Sequence, residues 1–231
     1  MATIRVFSGG APKEIFLNLT PQFEKASGHK IDYVFAVMSA LKDKLAAGEK
    51  ADVLVMPTNI LDGYQKDGKV AADKRSVLGL VSINAVVKKG TPKPDLSTQE
   101  TTKAAILNAR SIAHASPGAT PSGTHMGQLI DKLGIADQMK GKIIHRPALE
   151  GGVQLVASGE AEIGFYPKSE VMADGLDIAG PLPGAIQLTT IYGAGVTTAS
   201  TVPDAGAAFI AFMTDPANRP VWTRGGFDPP R

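Results

Sequence analysis

The chain contains no cysteine. That single absence removes disulfides, thiolate metal sites and a cysteine nucleophile, and leaves the redox compartment open. No window approaches the ~18 consecutive apolar residues of a membrane span, so direct membrane insertion is not expected. Charge is almost balanced, 24 basic against 22 acidic side chains for a net +2, and no dense Lys/Arg run interleaves with aromatics. Nucleic acid is therefore not an expected partner. There is no metal-ligand spacing, no Gly-Lys-Ser/Thr phosphate loop and no arguable Ser-His-Asp order, so neither a metal nor a cofactor is expected. Fixed-period repeats and low-complexity tracts are also missing. Finally, Met1 to Phe7 opens directly into a strand-like alternation, with no basic segment and no apolar leader. The expected localisation is cytoplasmic if Met1 is the native start and periplasmic if a signal peptide precedes it.

What is present is an ordinary globular composition, 43% hydrophobic and 20% charged over 231 residues, long enough for one sizeable domain or two lobes. The stretch from Ser116 to Ile135 organises the reading. Its Pro/Gly/Ser/Thr run ends at Ser122-Gly123 and gives way to Met126, Leu129, Ile130 and Leu133 at helical spacing. A loop feeding a helix start exposes unpaired N–H groups and the positive end of the macrodipole, both of which favour an anion. Ser122 or Thr124 is the expected cap.

The same arrangement recurs upstream. Ile4 to Phe7 reads as a strand, Ser8-Gly9-Gly10 as a tight loop, and Pro12 as a helix start. Ile15, Phe16, Leu19 and Phe23 form the buried stripe of that helix, Pro21 should kink or break it, and Gly28 closes it. Lys30 to Ala36 is a second strand, and Met38-Ser39-Ala40 opens a second helix that ends near Gly48. Ala51 to Met56 is a nearly continuous apolar run, as in a strand covered on both faces. Ile60 to Asp67 is a short helix. Strand, loop and helix in this repeated order predict an α/β layer whose ligand edge lies beyond the strand carboxyl ends, where Ser8–Gly10 and Val37–Ser39 fall.

Further along, Ser76 to Lys89 is β-rich, Gln99 to Asn108 is a helix capped by Ser97 or Thr98, and Ser111 to Ala113 is a strand into the focal loop. Lys142 to His145 is a strand, Val153 to Ser158 a helix ended by Gly159, and Ala161 to Tyr166 a strand that delivers Tyr166 at its carboxyl end. Gly180 to Gly184 reads as rigid loop, Gln187 to Val196 as strand, and Pro203 onward as helix. The middle segment thus repeats the β-loop-α order with its own apolar runs. The pattern predicts two α/β lobes, residues 1–81 plus 187–231 and residues 82–186, with a hinge and a cleft between them.

These residues carry a family resemblance over essentially the whole chain. Ser8-Gly9-Gly10-Ala11, Met38-Ser39, GEKADV from Gly48, Pro121-Ser-Gly-Thr124, Gly152-Val153 and, most specifically, LVASGEAEIGFY from Leu155 to Tyr166 resemble the motifs of the molybdate-binding, ModA-like solute-binding proteins. That family has the two-lobed type II periplasmic-binding-protein fold. The resemblance implies a small anionic ligand held by neutral donors, delivered to the membrane component of an ABC transporter. It implies contacts from Ser8, Ser39, Ser122, Val153 and Tyr166, with Gly9, Gly10, Gly123 and Thr124 in the same loops.

The departures bear on which anion. The first loop is Ser-Gly-Gly-Ala rather than Ala-Ala-Ala-Ser, the third lacks the usual aromatic and has His125 close by, and Glu150 stands beside an anion loop. A carboxylate there is awkward for molybdate unless it is protonated or turned away. These differences favour a small carboxylate or another oxyanion. The broad family also includes enzymes, notably aconitate isomerase. On that alternative, Tyr166, His125, His145 and Glu150 are the candidate proton-transfer groups for a di- or tricarboxylate. Each has a plainer reading: His125 as a solvent-facing first-turn residue, His145 as structural, Glu150 as a solvated complement to the helix dipole, and Tyr166 as lobe packing. His29 and His114 have no partner pattern and read as structural.

Overall fold

The computed structural model describes residues 1–230. In chain order the elements are β1 (Thr3–Ser8), α1 (Lys13–Ser27), β2 (Lys30–Phe35), α2 (Met38–Ala46), β3 (Val53–Pro57), α3 (Thr58–Lys66) and β4 (Val70–Lys88). There follow α4 (Gln99–Asn108), β5 (Ile112–His114), α5 (Pro121–Lys132), β6 (Ile143–His145), α6 (Gly152–Ser158), β7 (Ile163–Pro167) and β8 (Leu176–Pro181). The chain finishes with β9 (Thr189–Thr197), α7 (Pro203–Thr214) and α8 (Arg219–Arg224). It divides into two compact units, Met1–Val81 with the chain from Thr190 onward, and Ser82–Thr189.

In the first unit the strands lie in the order β2-β1-β3-β9, continuing to the leading part of β4. β1 pairs in parallel with β2 and β3, while β9 runs antiparallel to β3 with Val55 opposite Ala194. β3 is buried at every position because both faces are covered. One face holds Val6, Phe16, Leu19, Val55, Phe209 and Trp222; the other holds Phe7, Leu41, Leu54 and Leu61. α1 buries Ile15, Phe16, Leu19 and Phe23, the stripe its spacing predicts, and ends at Gly28 with φ 72°, a left-handed turn that glycine adopts without strain. Pro21 does not interrupt the helix. Both Pro21 and Leu17 are exposed, so water can replace the hydrogen bond that Pro21 is unable to donate to Leu17.

In the second unit the later part of β4 pairs with β7 antiparallel, β7 with β5 parallel, and β5 with β6 parallel. Ile83, Ile106, Ile112, Met126, Ile130 and Phe165 fill one side of this sheet, and Val86, Ala113, Val153, Val156 and Tyr166 the other. α4 starts at Thr98, whose side chain forms a reciprocal capping box with Thr101. The segment expected to be loop around Gly180 instead contributes β8, which pairs antiparallel with β4. The register slips between Ala85 and Val86, and Gly180 takes φ 143°, so an irregular edge strand hides behind Gly and Pro.

Candidate anion-binding loops

Within the first unit, the loop after β1 is built by its own polar groups. Ser8 is fully buried, and its hydroxyl donates to the Gly9 carbonyl at 2.9 Å. The Gly9 N–H donates to Val55 O at 3.2 Å, and Gly10 O accepts from Lys13 N at 3.0 Å. These bonds commit the Ser8 hydroxyl and the Gly9 amide, two groups expected to serve a ligand, to shaping the loop. A Cβ on Gly9 would sit 2.6 Å from Met38 Cε and 3.3 Å from Tyr192 Oη, so β1, α2 and β9 pack closely there. Ser39, half-buried at the second position of α2, stands where a helix amide has no intrahelical acceptor. Tyr192 was not singled out from the sequence. Its position inside a strand alternation gave no sign that its phenol would border the Gly9 turn.

Within the second unit, the start of α5 differs from expectation. The cap is Thr120, whose Oγ1 accepts from Gly123 N at 3.0 Å, rather than Ser122 or Thr124. Proline at the first helical position has no N–H to satisfy, so the cap falls one residue before it. The Thr124 hydroxyl donates to Thr120 O at 3.0 Å and accepts from Gly118 N at 2.9 Å. The Thr124 amide also goes to Thr120 O. A Cβ on Gly123 would come 2.5 Å from the carbonyl oxygens of Ala115 and Ser116. Gly123 and Thr124, expected among the ligand contacts, thus also build the loop. Ser122, 7% exposed with its hydroxyl 3.1 Å from Thr120 Oγ1, keeps a leading amide that helix geometry leaves unpaired.

The turn before α6 is fixed from β7. Tyr166, 1% exposed, donates its phenol to Arg146 O at 2.9 Å. Gly152 N donates to Pro147 O at 2.9 Å and Gly151 N to Ala148 O at 3.1 Å. A Cβ on Gly152 would collide with both Arg146 O and the Tyr166 hydroxyl. The Tyr166 proton thus points at a backbone carbonyl, and the residue supports the turn that presents Val153. The amides of Val153 and Gln154 are the leading donors of α6. Burial, followed by the negative charge of Glu170, pushes the Tyr166 phenol above its ordinary range, so it stays protonated.

His125 is half-buried, with Nε2 2.8 Å from Ile186 O, which ties the turn Gly184–Ile186 to α5. That bond holds the imidazole, a candidate proton-transfer group from the sequence, against the Gly184–Ile186 turn. His145 and Glu150 are exposed at the end of β6 and in the turn after it. His114, read from sequence as merely structural, is fully buried with its ring 5.0 Å edge-on from His145. Its Nδ1 meets Ala115 O at 2.8 Å and its Nε2 has no partner. Burial is the main cause that lowers its pKa to about 4, so it is neutral. No group of three or more His, Asp or Glu among the described residues could hold a metal. No described helix is long and apolar enough to cross a membrane.

The loops can be compared with known proteins. The family of bacterial extracellular solute-binding proteins matches residues 4–228. Aconitate isomerase from a Pseudomonas species is 31% identical over 220 residues, covering 92% of this chain and 82% of that protein. The molybdate-binding protein ModA of Azotobacter vinelandii is 25% identical over 162 residues, covering 68% of this chain and 62% of that protein. Among solved structures, the periplasmic molybdate-binding protein of Azotobacter vinelandii superposes with TM-score 0.81 at 18% identity, covering 99% of this chain and all of the other. That likeness establishes the type II periplasmic-binding-protein fold.

Proposed function

Because the chain belongs to the bacterial extracellular solute-binding protein family, we propose that it binds a small anion, a carboxylate in preference to molybdate, and serves as receptor for an ABC importer. The observation that carries this reading is the division of labour among the loop donors. Gly9, Gly123, Thr124 and Gly152 hold the loops in shape. Ser39, Ser122 and Val153 are left at the starts of α2, α5 and α6, where N–H groups lack acceptors. Fixed neutral donors of this kind stabilise a compact anion without a counter-charge. Preference for a carboxylate is supported by Arg146. Its Nη1 lies 4.0 Å from the point a Gly151 Cβ would occupy, at the entry to α6, and its planar fork suits a carboxylate. Calorimetry with cis-aconitate, trans-aconitate, citrate, sulfate and molybdate tests the reading. Binding of a carboxylate at roughly micromolar Kd is expected, equivalent to about −8 kcal/mol. Failure to bind any of the five rejects it.

A second reading is favoured by the 31% identity to an aconitate isomerase over most of both chains. On it, the protein removes a proton from the methylene of a tricarboxylate and returns one to the other end of the allylic system. Proton NMR in deuterated water with cis- and trans-aconitate discriminates: interconversion with deuterium wash-in supports turnover, and unchanged spectra rule it out.

A further inference from the structure

The first unit has a cavity that the anion-binding loops do not use. It measures about 340 Å³, within the roughly 300–1,000 Å³ typical of small-molecule sites. Its wall comes from the last turns of α2, the stretch leading into β3, α3 and the end of β9. β1 and β3 run parallel, so the start of β3 lies at the opposite edge of the sheet from Ser8, at the end of β1. Ser39 likewise opens α2, whereas Leu45 and Ala46 close it. The cavity therefore stands apart from both loops expected to meet an anion in this unit.

The interior is apolar and carries one aromatic ring. Ala51 and Leu54 are buried, and Leu45 and Tyr64 pack half-buried on the same cluster. The wall is fixed by the Thr197 hydroxyl, which donates to Ala51 O at 2.6 Å, and the Thr198 hydroxyl, which donates to Gly68 O at 2.8 Å. Burial, followed by the negative charge of Asp67, raises the Tyr64 phenol above its ordinary range, so it stays protonated. Around this interior stand Lys42, Lys50 and Lys69. None of the ion pairs among the described residues uses these three. The Lys69 ammonium lies 5.9 Å from the Tyr64 ring centroid, which holds one positive charge beside the apolar wall. Glu49, the acid in the lining, is engaged elsewhere, by Lys44 at 2.8 Å and Arg5 at 3.6 Å.

We propose that this cavity is a second ligand site, taking a small aromatic anion: the ring lies against Leu45, Leu54 and Tyr64, and the negative group meets Lys42, Lys50 and Lys69. An uncharged aromatic would make no use of the three ammoniums, and an inorganic anion would leave the apolar wall wet. A molecule with both parts uses the whole surface. A larger cavity, of about 500 Å³, lies in the second unit beside Lys88, Lys93 and Arg110. It has no aromatic wall, and its charge is mostly committed within the protein, Arg110 to Glu162 at 3.0 Å and Lys88 to Ser158 O at 3.3 Å. The site in the first unit is independent of the anion-binding reading above.

Anilinonaphthalene sulfonate, whose fluorescence rises on leaving water, is the probe, and phenylnaphthylamine is the same aromatic body without the sulfonate. The wild type should bind the sulfonate with a Kd of roughly 10 µM and the neutral amine about tenfold more weakly. Lys42→Gln, Lys50→Gln and Lys69→Gln combined, all at exposed positions, should weaken the sulfonate about tenfold and leave the amine unchanged. Tyr64→Leu should weaken both probes about fivefold. Nitrogen–proton correlation NMR should place the probe-induced shifts at Leu45, Ala51, Tyr64 and Thr198. The proposal is overturned by no fluorescence gain at about 100 µM sulfonate, or by equal affinity for the two probes. It is also overturned by equal affinity of the triple variant and the wild type, or by shifts confined to the second unit or to the loops around Ser8 and Ser39. The triple variant changes exposed side chains alone, so the result stands even where Tyr64→Leu fails to fold.

Discussion

His114 and Glu170 should pull the stability of the protein in opposite directions as pH changes. Burial lowers His114 from 6.5 to about 4, so between these values the unfolded chain binds the proton that the native chain refuses. The stability due to neutral His114 is complete above pH 6.5 and is lost as pH falls through 4. Burial raises Glu170 from 4.5 to about 7, so there the native chain holds a proton that the unfolded chain releases. Its contribution is complete below pH 4.5 and is lost as pH rises through 7. Each of these displacements, 6.5 to about 4 for His114 and 4.5 to about 7 for Glu170, corresponds to about 3 kcal/mol. The two slopes oppose each other between pH 4.5 and 6.5, so the wild type should be nearly flat there with respect to these groups. Glu170→Gln leaves the histidine slope and should gain stability with rising pH. His114→Asn keeps a donor near Ala115 O, leaves the glutamate slope, and should lose stability over the same interval. The variants should diverge by about 4 kcal/mol across it. Urea unfolding at pH 4.5, 5.5 and 6.5, followed by far-UV circular dichroism, measures this. The single tryptophan, Trp222, lies in the first unit, so its fluorescence shows separately whether that unit unfolds with the rest. The acids Glu24 and Asp95, whose pKa values are lowered by hydrogen bonds, titrate alike in all three proteins and cancel in the differences. Parallel slopes in the wild type and both variants would refute the reasoning.

Further outcomes follow from the loop geometry. Gly152→Ala drives a methyl group into Arg146 O and the Tyr166 hydroxyl, and should cost about 2 kcal/mol by denaturation and at least tenfold in anion affinity. Gly184→Ala, with open space at its Cβ, is the control and should be near neutral. Tyr166→Phe leaves Arg146 O without its donor and should lose about 1 kcal/mol in urea unfolding. Affinity should weaken with it, because the turn presenting Val153 loosens. Thr120→Ala removes the α5 cap and should lower stability by about 1 kcal/mol, visible as a reduced urea midpoint at unchanged slope.

The elements that sequence reasoning finds most readily are those with a strong period. The stripe Ile15, Phe16, Leu19, Phe23 and the apolar run of β3 each dictate one packing solution, and both occur. β8 escapes because its Gly180 and Pro181 carry the composition of a turn while their backbone still pairs with β4. At the loops, Gly, Pro and Ser announce where helices begin, yet composition does not say which donors the turn consumes. Thr120 takes the cap because Pro121 follows it, and that leaves Thr124 to tie Gly118. Glu170 gives no signal in the sequence, since a glutamate after a strand normally meets water. Only the burial of Ser169 and Val171 on either side reveals its surroundings.

The two units are not strung end to end along the chain. Ser82–Thr189 is continuous, and its two ends are clasped by the Ser82 and Thr189 hydroxyls at 2.7 Å. The sheet of the other unit is left open at β3 until β9 exists to pair with it. During synthesis, then, the unit that begins first finishes last. Its exposed β3 edge must wait on the ribosome while the inserted unit completes its own core, and this interval is when the nascent protein is most open to mispairing and most in need of a chaperone's cover.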